Sequence, residues 1–137
     1  MSLNGEERRT IVLFKLEKTE EALEDVRINL ENRRWIVVAN RLYYAAYYSV
    51  SALLISYGYT AKTHEGIVRT FSKEFGLTGK VDAALTKHYG RLLNLRITGD
   101  YSDNYNLDET DVLPMIELTK KLIETVSSLA KQQVGLL

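Results

Sequence analysis

The apolar run from Trp35 to Tyr57 constrains the fold more than any other stretch of this sequence. Small side chains alternate with large ones along it, which is typical of a central helix that neighbouring helices approach closely. Its middle, Asn40 to Tyr48, holds four of the nine tyrosines and one charged residue, Arg41. The rest of the chain is therefore expected to pack around this helix, and an arginine within it requires an explanation.

Length and charge limit the classes of protein to which the chain can belong. A chain of 137 residues favours a single domain, residues 1–137, with a substantial core. Eighteen basic residues balance eighteen acidic ones, so any site for a polyanion must be a local patch. The absence of cysteine, together with an N-terminus that lacks a signal-peptide pattern, predicts a cytoplasmic protein. No membrane association is expected, because polar residues interrupt the apolar run.

Hydrophobic periodicity predicts an all-α fold. The single proline is Pro114, and most glycines fall between periodic runs. The first predicted elements are a helix from Glu6 to Leu30 and the central helix to Tyr57. They are followed by a short helix capped by Thr63 and ended by Gly76, a helix carrying Val81 to Leu95, and a last helix beginning between Asp108 and Asp111. Pro114 favours Asp111 as the cap of that last helix, and residues 97–106 are predicted to form a polar turn. Short connections then imply an up-down antiparallel bundle of about five helices.

The two histidines do not predict a metal site. Di-iron bundles need Glu-x-x-His pairs, and no glutamate stands three residues before His64 or His88. No phosphate-binding glycine loop occurs either, so no cofactor is predicted. His88 lies in the apolar register of its helix and is interpreted as structural. His64 falls in the first turn after Thr63, where the helix dipole disfavours protonation, and either positions a loop or faces a site.

A polar site is predicted where the fourth helix ends. Arg96, Asp100 and Tyr101 are concentrated there, although the same pattern also fits an ordinary helix C-terminus. Arg41 needs an anionic partner if it is buried, and Asp100 is the predicted one. If the second and fourth helices are neighbours, a basic patch edged by tyrosines results, suited to single-stranded RNA or a nucleotide. The members of this predicted patch are Arg33, Arg34, Arg41, Arg91 and Arg96, with Tyr44, Tyr48 and Tyr101.

Three segments resemble motifs of small prokaryotic HEPN-domain proteins (higher eukaryotes and prokaryotes nucleotide-binding). They are Asn40-Arg41-Leu42-Tyr43-Tyr44-Ala45, Thr63-His64-Glu65-Gly66, and Leu95-Arg96-Ile97-Thr98-Gly99-Asp100-Tyr101. The match covers roughly residues 10–131. The resemblance implies a helical bundle that forms a homodimer, belongs to a toxin–antitoxin or defence module, and often works beside a minimal nucleotidyltransferase partner.

The resemblance also implies site chemistry. Many relatives are metal-independent ribonucleases with a histidine four to six residues after the motif arginine. Here Asp100 and Tyr101 follow Arg96 at that distance, and no histidine follows His88. The usual general acid–base is therefore missing. In some relatives a tyrosine in this segment accepts a nucleotide, which makes Tyr101 the candidate acceptor.

Three functions stay open on the sequence. The first is a component of a two-component module that binds RNA, a nucleotide or a nucleotidyltransferase. The second is a ribonuclease toxin that uses Arg96, and the third is a non-catalytic dimeric scaffold. The candidate catalytic residues are Arg96, Asp100 and Tyr101, and the candidate binding residues are Arg41, Tyr44, His64 and Arg91.

Overall fold

The computed structural model describes residues 3–101 and 107–137, with all their side chains except those of 99–101. This part of the chain is all-α, as predicted. Its helices are α1 (Gly5–Glu31), α2 (Trp35–Ser56), α3 (His64–Phe71), α4 (Ala83–Tyr101) and α5 (Glu109–Gln133). A single π-helical turn, Ser72–Gly76, continues α3. None of the helices in the described ranges is both long enough and apolar enough to cross a bilayer.

Helix α2 is the centre of the bundle. It packs against α1, α3, α4 and α5. The small residues Ala45, Ala46 and Ala52 are completely buried, so the partner helices can approach its backbone closely. Leu42 and Val50 are also fully buried and fill the space between these approaches. The prediction of a central helix with alternating small and large side chains is confirmed.

Side-chain caps set the beginnings of α1 and α3. The Oδ1 of Asn4 accepts a hydrogen bond from the Glu7 amide (2.8 Å), and the Glu7 carboxylate accepts one from the Asn4 amide (3.0 Å). The Thr63 hydroxyl accepts one from the Gly66 amide (2.9 Å), which confirms Thr63 as the cap of α3. Three residues connect α1 to α2, and the middle one, Arg33, has a left-handed backbone (φ 56°). Such a short connection makes these two helices antiparallel.

The predicted start of α5 between Asp108 and Asp111 is confirmed, but the preference for Asp111 as its cap is wrong. Asp108 is the cap, because its carboxylate accepts hydrogen bonds from the amides of Thr110 (2.9 Å) and Asp111 (3.3 Å). The Asp111 carboxylate in turn accepts one from the Asp108 amide (3.0 Å). This reciprocal cap satisfies backbone groups that would otherwise lack partners. Pro114 consequently lies inside the helix rather than in its first residues.

The polar turn predicted from residue 97 onward is also wrong as far as residue 101. Helix α4 continues to Tyr101 and includes Gly99. A glycine within a helix costs only about 1 kcal/mol relative to alanine, and no proline intervenes to end the helix. The remainder of that prediction, residues 102–106, lies outside the described residues. Val81, predicted to lie on this helix, precedes its first turn.

Candidate functional site

A hydrogen bond between Tyr43 and His64 lies at the centre of the candidate site. Tyr43, on α2, is completely buried. His64 is the first residue of α3, where the cap formed by Thr63 places it. The hydroxyl of Tyr43 is hydrogen-bonded to Nδ1 of His64. The bond joins the short helix α3 to the central helix and holds the imidazole in one orientation.

Aromatic rings surround the imidazole of His64. Its centroid lies 4.9 Å from that of Tyr47, 5.6 Å from that of Tyr43 and 6.2 Å from that of Tyr44. On α4 the ring of Tyr89 stacks parallel to that of Tyr43, at 5.8 Å and 9°. Helices α2 and α4 therefore contribute the rings of one cluster, which we call the tyrosine cluster (Tyr43, Tyr44, Tyr47 and Tyr89), and α3 places the imidazole of His64 against it.

Two arginines from different helices meet at this cluster. The Cζ of Arg96, on α4, lies 5.6 Å from the ring centroid of Tyr43 and 5.3 Å from that of Tyr44. The Cζ of Arg41, on α2, lies 5.0 Å from the same Tyr44 ring. The Nε and Nη2 of Arg41 donate to Oδ1 of Asn40 (2.9 and 2.6 Å). Each cation–π contact contributes about 0.5–2 kcal/mol. The ring of Tyr44 thus lies within cation–π distance of both guanidinium groups.

The surroundings keep the central pair neutral near pH 7. Burial, and then the positive charge of Arg96, lower the pKa of His64 below its ordinary value. Burial raises the pKa of Tyr43 to about 12. A neutral imidazole accepts at one nitrogen and donates at the other, so the Tyr43–His64 bond can run in either direction. When Nδ1 accepts from Tyr43, Nε2 of His64 carries the proton and is a donor. When Nδ1 donates to Tyr43, Nε2 is unprotonated and can act as a base.

The structure brings together only some of the residues predicted from the sequence. Arg41, Tyr44, His64 and Arg96 are neighbours. Arg91 is exposed on another side of α4, about 140° around the axis from Arg96. It lines a depression that also includes Asn94 and Leu95 of α4 and Asp111 and Met115 of α5.

The other members of the predicted basic patch have different surroundings. Arg33 forms an ion pair with Glu109 (2.8 Å) and lies over the ring of Trp35. The side chains of Asp100 and Tyr101 lie outside the described residues. The predicted pairing of Arg41 with Asp100 and the roles of Tyr101 therefore stay predictions.

His88 has the structural role expected for it. It is only 1% exposed, and its Nε2 is hydrogen-bonded to the Thr119 hydroxyl (2.8 Å). That hydroxyl donates to the Met115 carbonyl (2.7 Å), so it accepts from His88. Burial lowers the pKa of His88, which favours the neutral ring. The bond joins α4 to α5 in the core.

The sequence interpretation missed Tyr43 and Tyr47 as parts of the site. Both rings also pack in the core, because Tyr43 stacks on Tyr47 (6.0 Å) as well as on Tyr89. A phenol buried in a helical core needs a hydrogen-bond partner, and that requirement was the available signal. His64, the first histidine after α2, was the partner to consider.

This is the architecture of an all-α bundle with an arginine, tyrosine and histidine cluster built on its central helix. The sequence pattern of the HEPN domain matches residues 12–129, and the chain belongs to the HEPN-domain family. A protein of Thermotoga maritima named "UPF0332 protein" is 34% identical over 90% of this chain and 93% of its own length.

Two proteins of Methanocaldococcus jannaschii are also similar, and each is described as a "putative toxin". One is 37% identical over 63% of this chain and 58% of its own length. The other is 31% identical over 69% of this chain and 70% of its own length. These relatives connect the fold with toxin-like proteins.

Proposed function

We propose that this protein is a toxin-like component of a two-component module and that it binds single-stranded RNA at the tyrosine cluster. The observation that carries the proposal is the pair of guanidinium groups, Arg41 and Arg96, beside the ring of Tyr44. Arginines bind phosphates, and partly exposed aromatic rings stack with unpaired bases. The descriptions of the archaeal relatives support the toxin-like role.

The surface around the two arginines suits a single-stranded nucleic acid. Tyr44, Tyr47 and Tyr48 are half-buried and form a triangle of rings, with all three centroid separations between 5.5 and 6.1 Å. A base can stack on the accessible part of this triangle while the arginines hold neighbouring phosphates. A homodimer and a minimal nucleotidyltransferase partner, both implied by the family resemblance, complete the proposed module.

Fluorescence anisotropy with a labelled single-stranded RNA tests the proposal. The matched variants are Arg96→Gln and Arg91→Gln, which remove the same charge from the same helix at different sides. We expect Arg96→Gln to weaken binding by roughly tenfold and to reduce the salt dependence by about one phosphate contact. Arg91→Gln should change the affinity by less than roughly twofold. Equal losses of affinity in the two variants would mean that RNA binding depends only on the net charge and that the tyrosine cluster is not the site.

Ribonuclease activity is the second candidate, and the contact between His64 and Tyr43 favours it. His64 supplies from α3 the imidazole that the Arg96 segment lacks. In this reaction Nε2 of His64 takes the proton of a ribose 2′-hydroxyl, and the 2′-oxygen attacks the adjacent phosphorus. The bond from phosphorus to the 5′-oxygen breaks, and the leaving oxygen takes a proton from the imidazolium. Arg96 stabilises the extra negative charge on the phosphorus oxygens.

Incubation of RNA with purified protein in a chelating buffer tests this second candidate. The expected products carry a 2′,3′-cyclic phosphate and a 5′-hydroxyl. His64→Gln should abolish cleavage while RNA binding stays within roughly threefold, because general acid–base catalysis contributes about 10²–10⁴-fold in rate and little in affinity. Cleavage that persists at the wild-type rate in Arg96→Ala, or in His64→Gln, would exclude this active site.

A further inference from the structure

A second concave site lies beside the tyrosine cluster. It is a cavity of about 400 Å³ between α1, α2, the start of α3 and the loop before α3. This is within the range of sites that enclose small molecules. Its walls are mostly apolar, formed by residues such as Leu54, Ile55 and Ile67, with the rings of Tyr47 and Tyr59. The walls therefore suit the hydrocarbon or aromatic body of a ligand.

One polar group in the wall has no partner. Ser51 is only 6% exposed, and its hydroxyl forms no hydrogen bond with any residue in the described part of the chain. Helical serines often donate to a carbonyl of the preceding turn, as Ser56 does to Leu53 (2.6 Å). Buried polar groups are nearly always hydrogen-bonded. The Ser51 oxygen is closed off from solvent in the unliganded chain, so rotation about its Cα–Cβ bond is needed to turn the hydroxyl toward a ligand.

The charges around the cavity have a single sign. Lys15 of α1 and Lys62 of the loop both line it, and no aspartate or glutamate does. Neither lysine has an ion-pair partner among the described residues. Burial lowers the pKa of Lys15 because it disfavours the charged ammonium group. A bound anion would offset that penalty. Glu74 accepts a hydrogen bond from the Tyr59 hydroxyl (3.2 Å) but does not line the cavity.

We infer that this cavity binds a small carboxylate with an apolar, aromatic body. Its carboxylate would lie against Lys15, where a rotated Ser51 side chain donates to it, and its ring would lie against the apolar wall and Tyr59. This site goes beyond the proposed RNA-binding function and is separate from the two arginines. Tyr47 belongs to both sites, since it lines the cavity and lies 4.9 Å from His64.

Isothermal titration calorimetry with three naphthalene probes tests the inference. The probes are 2-naphthoate, 2-naphthalenemethanol and 2-naphthylmethylamine, which share a ring system and differ in head-group charge. We expect saturable binding, with affinity decreasing from the carboxylate to the alcohol to the amine. Equal affinity for the alcohol and the carboxylate would reduce the cavity to an apolar void, and the absence of saturable binding by 2-naphthoate would overturn the inference.

Variants assign the binding to the cavity. Lys15→Met keeps the apolar stem and removes the charge, so 2-naphthoate should bind roughly tenfold more weakly while the alcohol is unaffected. Lys18→Met, on the same helix but outside the cavity, is the control and should change nothing. Arg96→Gln should also leave 2-naphthoate binding intact, which separates this site from the RNA site. The inference would be refuted if Arg96→Gln lost 2-naphthoate binding. It would also be refuted if Lys15→Met bound 2-naphthoate as tightly as the wild type does. Thermal melts of the unliganded variants show that each is folded.

Discussion

Replacing Tyr43 with phenylalanine removes a single oxygen atom from the candidate site. The ring keeps its stacking on Tyr89 (5.8 Å) and Tyr47 (6.0 Å), so packing in the core is largely preserved. What disappears is the hydrogen bond to Nδ1 of His64, the direct polar link between α2 and α3. The variant therefore tests whether this bond positions the imidazole.

The size of the effect follows from the burial of the two partners. A hydrogen bond between neutral groups contributes about 0.5–1.5 kcal/mol, and a buried group left without its partner adds a further desolvation cost. Tyr43 is completely buried and His64 is half-buried, so we expect Tyr43→Phe to lower the free energy of unfolding by about 1–2 kcal/mol. For a chain of this length, that corresponds to a melting temperature lower by about 3–8 °C.

Urea denaturation of Tyr43→Phe, His64→Ala and the double variant measures the interaction as a coupling energy. We expect about 1 kcal/mol, because the two groups are in direct contact. Tyr57→Phe is a matched control, since the Tyr57 ring packs edge-on against Phe75 and its hydroxyl forms no hydrogen bond with any described residue. Removing that hydroxyl should leave stability unchanged or raise it. A coupling energy near zero, or equal losses in the two tyrosine variants, would refute the reasoning.

Three further predictions concern the frame of the bundle. Thr119→Val leaves the buried Nε2 of His88 without an acceptor and should cost about 2 kcal/mol in urea denaturation, whereas Thr119→Ser should cost less. Stability should fall as the pH drops below the ordinary histidine pKa of 6.5, because the folded state lowers the pKa of His64 and of His88 and the unfolded chain then binds more protons. Denaturation at pH 7 and 5.5 measures this loss, and His88→Gln should reduce it. Asp108→Ala should lower the free energy of unfolding by about 1 kcal/mol, because it removes the cap of α5. Asp111→Ala should cost less, and the reverse order would mean that Asp111 is the cap.

The regular part of the fold was accessible from the sequence because burial imposes a period on each helix. The ends of α1 and α2 were predicted within a residue of the structure, and Thr63 was predicted as the cap of α3. The errors arose where two local preferences compete. At the start of α5, the preference of proline for the first turn gave way to the reciprocal cap of Asp108 and Asp111. At Gly99, continuing the helix costs too little for a glycine alone to predict its end.

The candidate site was less accessible because it depends on contacts between helices. The sequence indicated that Arg41 and Arg96 belong together, but it could not provide the ring of Tyr44 as the element between them. The charge of Arg91 suggested a common patch, yet five residues along a helix lead to a different side. His64 was expected either to position a loop or to face the site. Only the packing of α3 against α2 places it beside Tyr43.

The attachment of α3 has a consequence for how the site can be observed. Eight residues long, this helix is held by the buried side chains of Ile67 and Phe71 and by the bond from His64. Short elements of this kind often open locally, with a free energy far below that of global unfolding. Each opening would remove the imidazole while the arginines stay beside Tyr44. Amide hydrogen exchange in α3 would therefore report how much of the time the complete site exists, and a ligand that contacts His64 should slow that exchange.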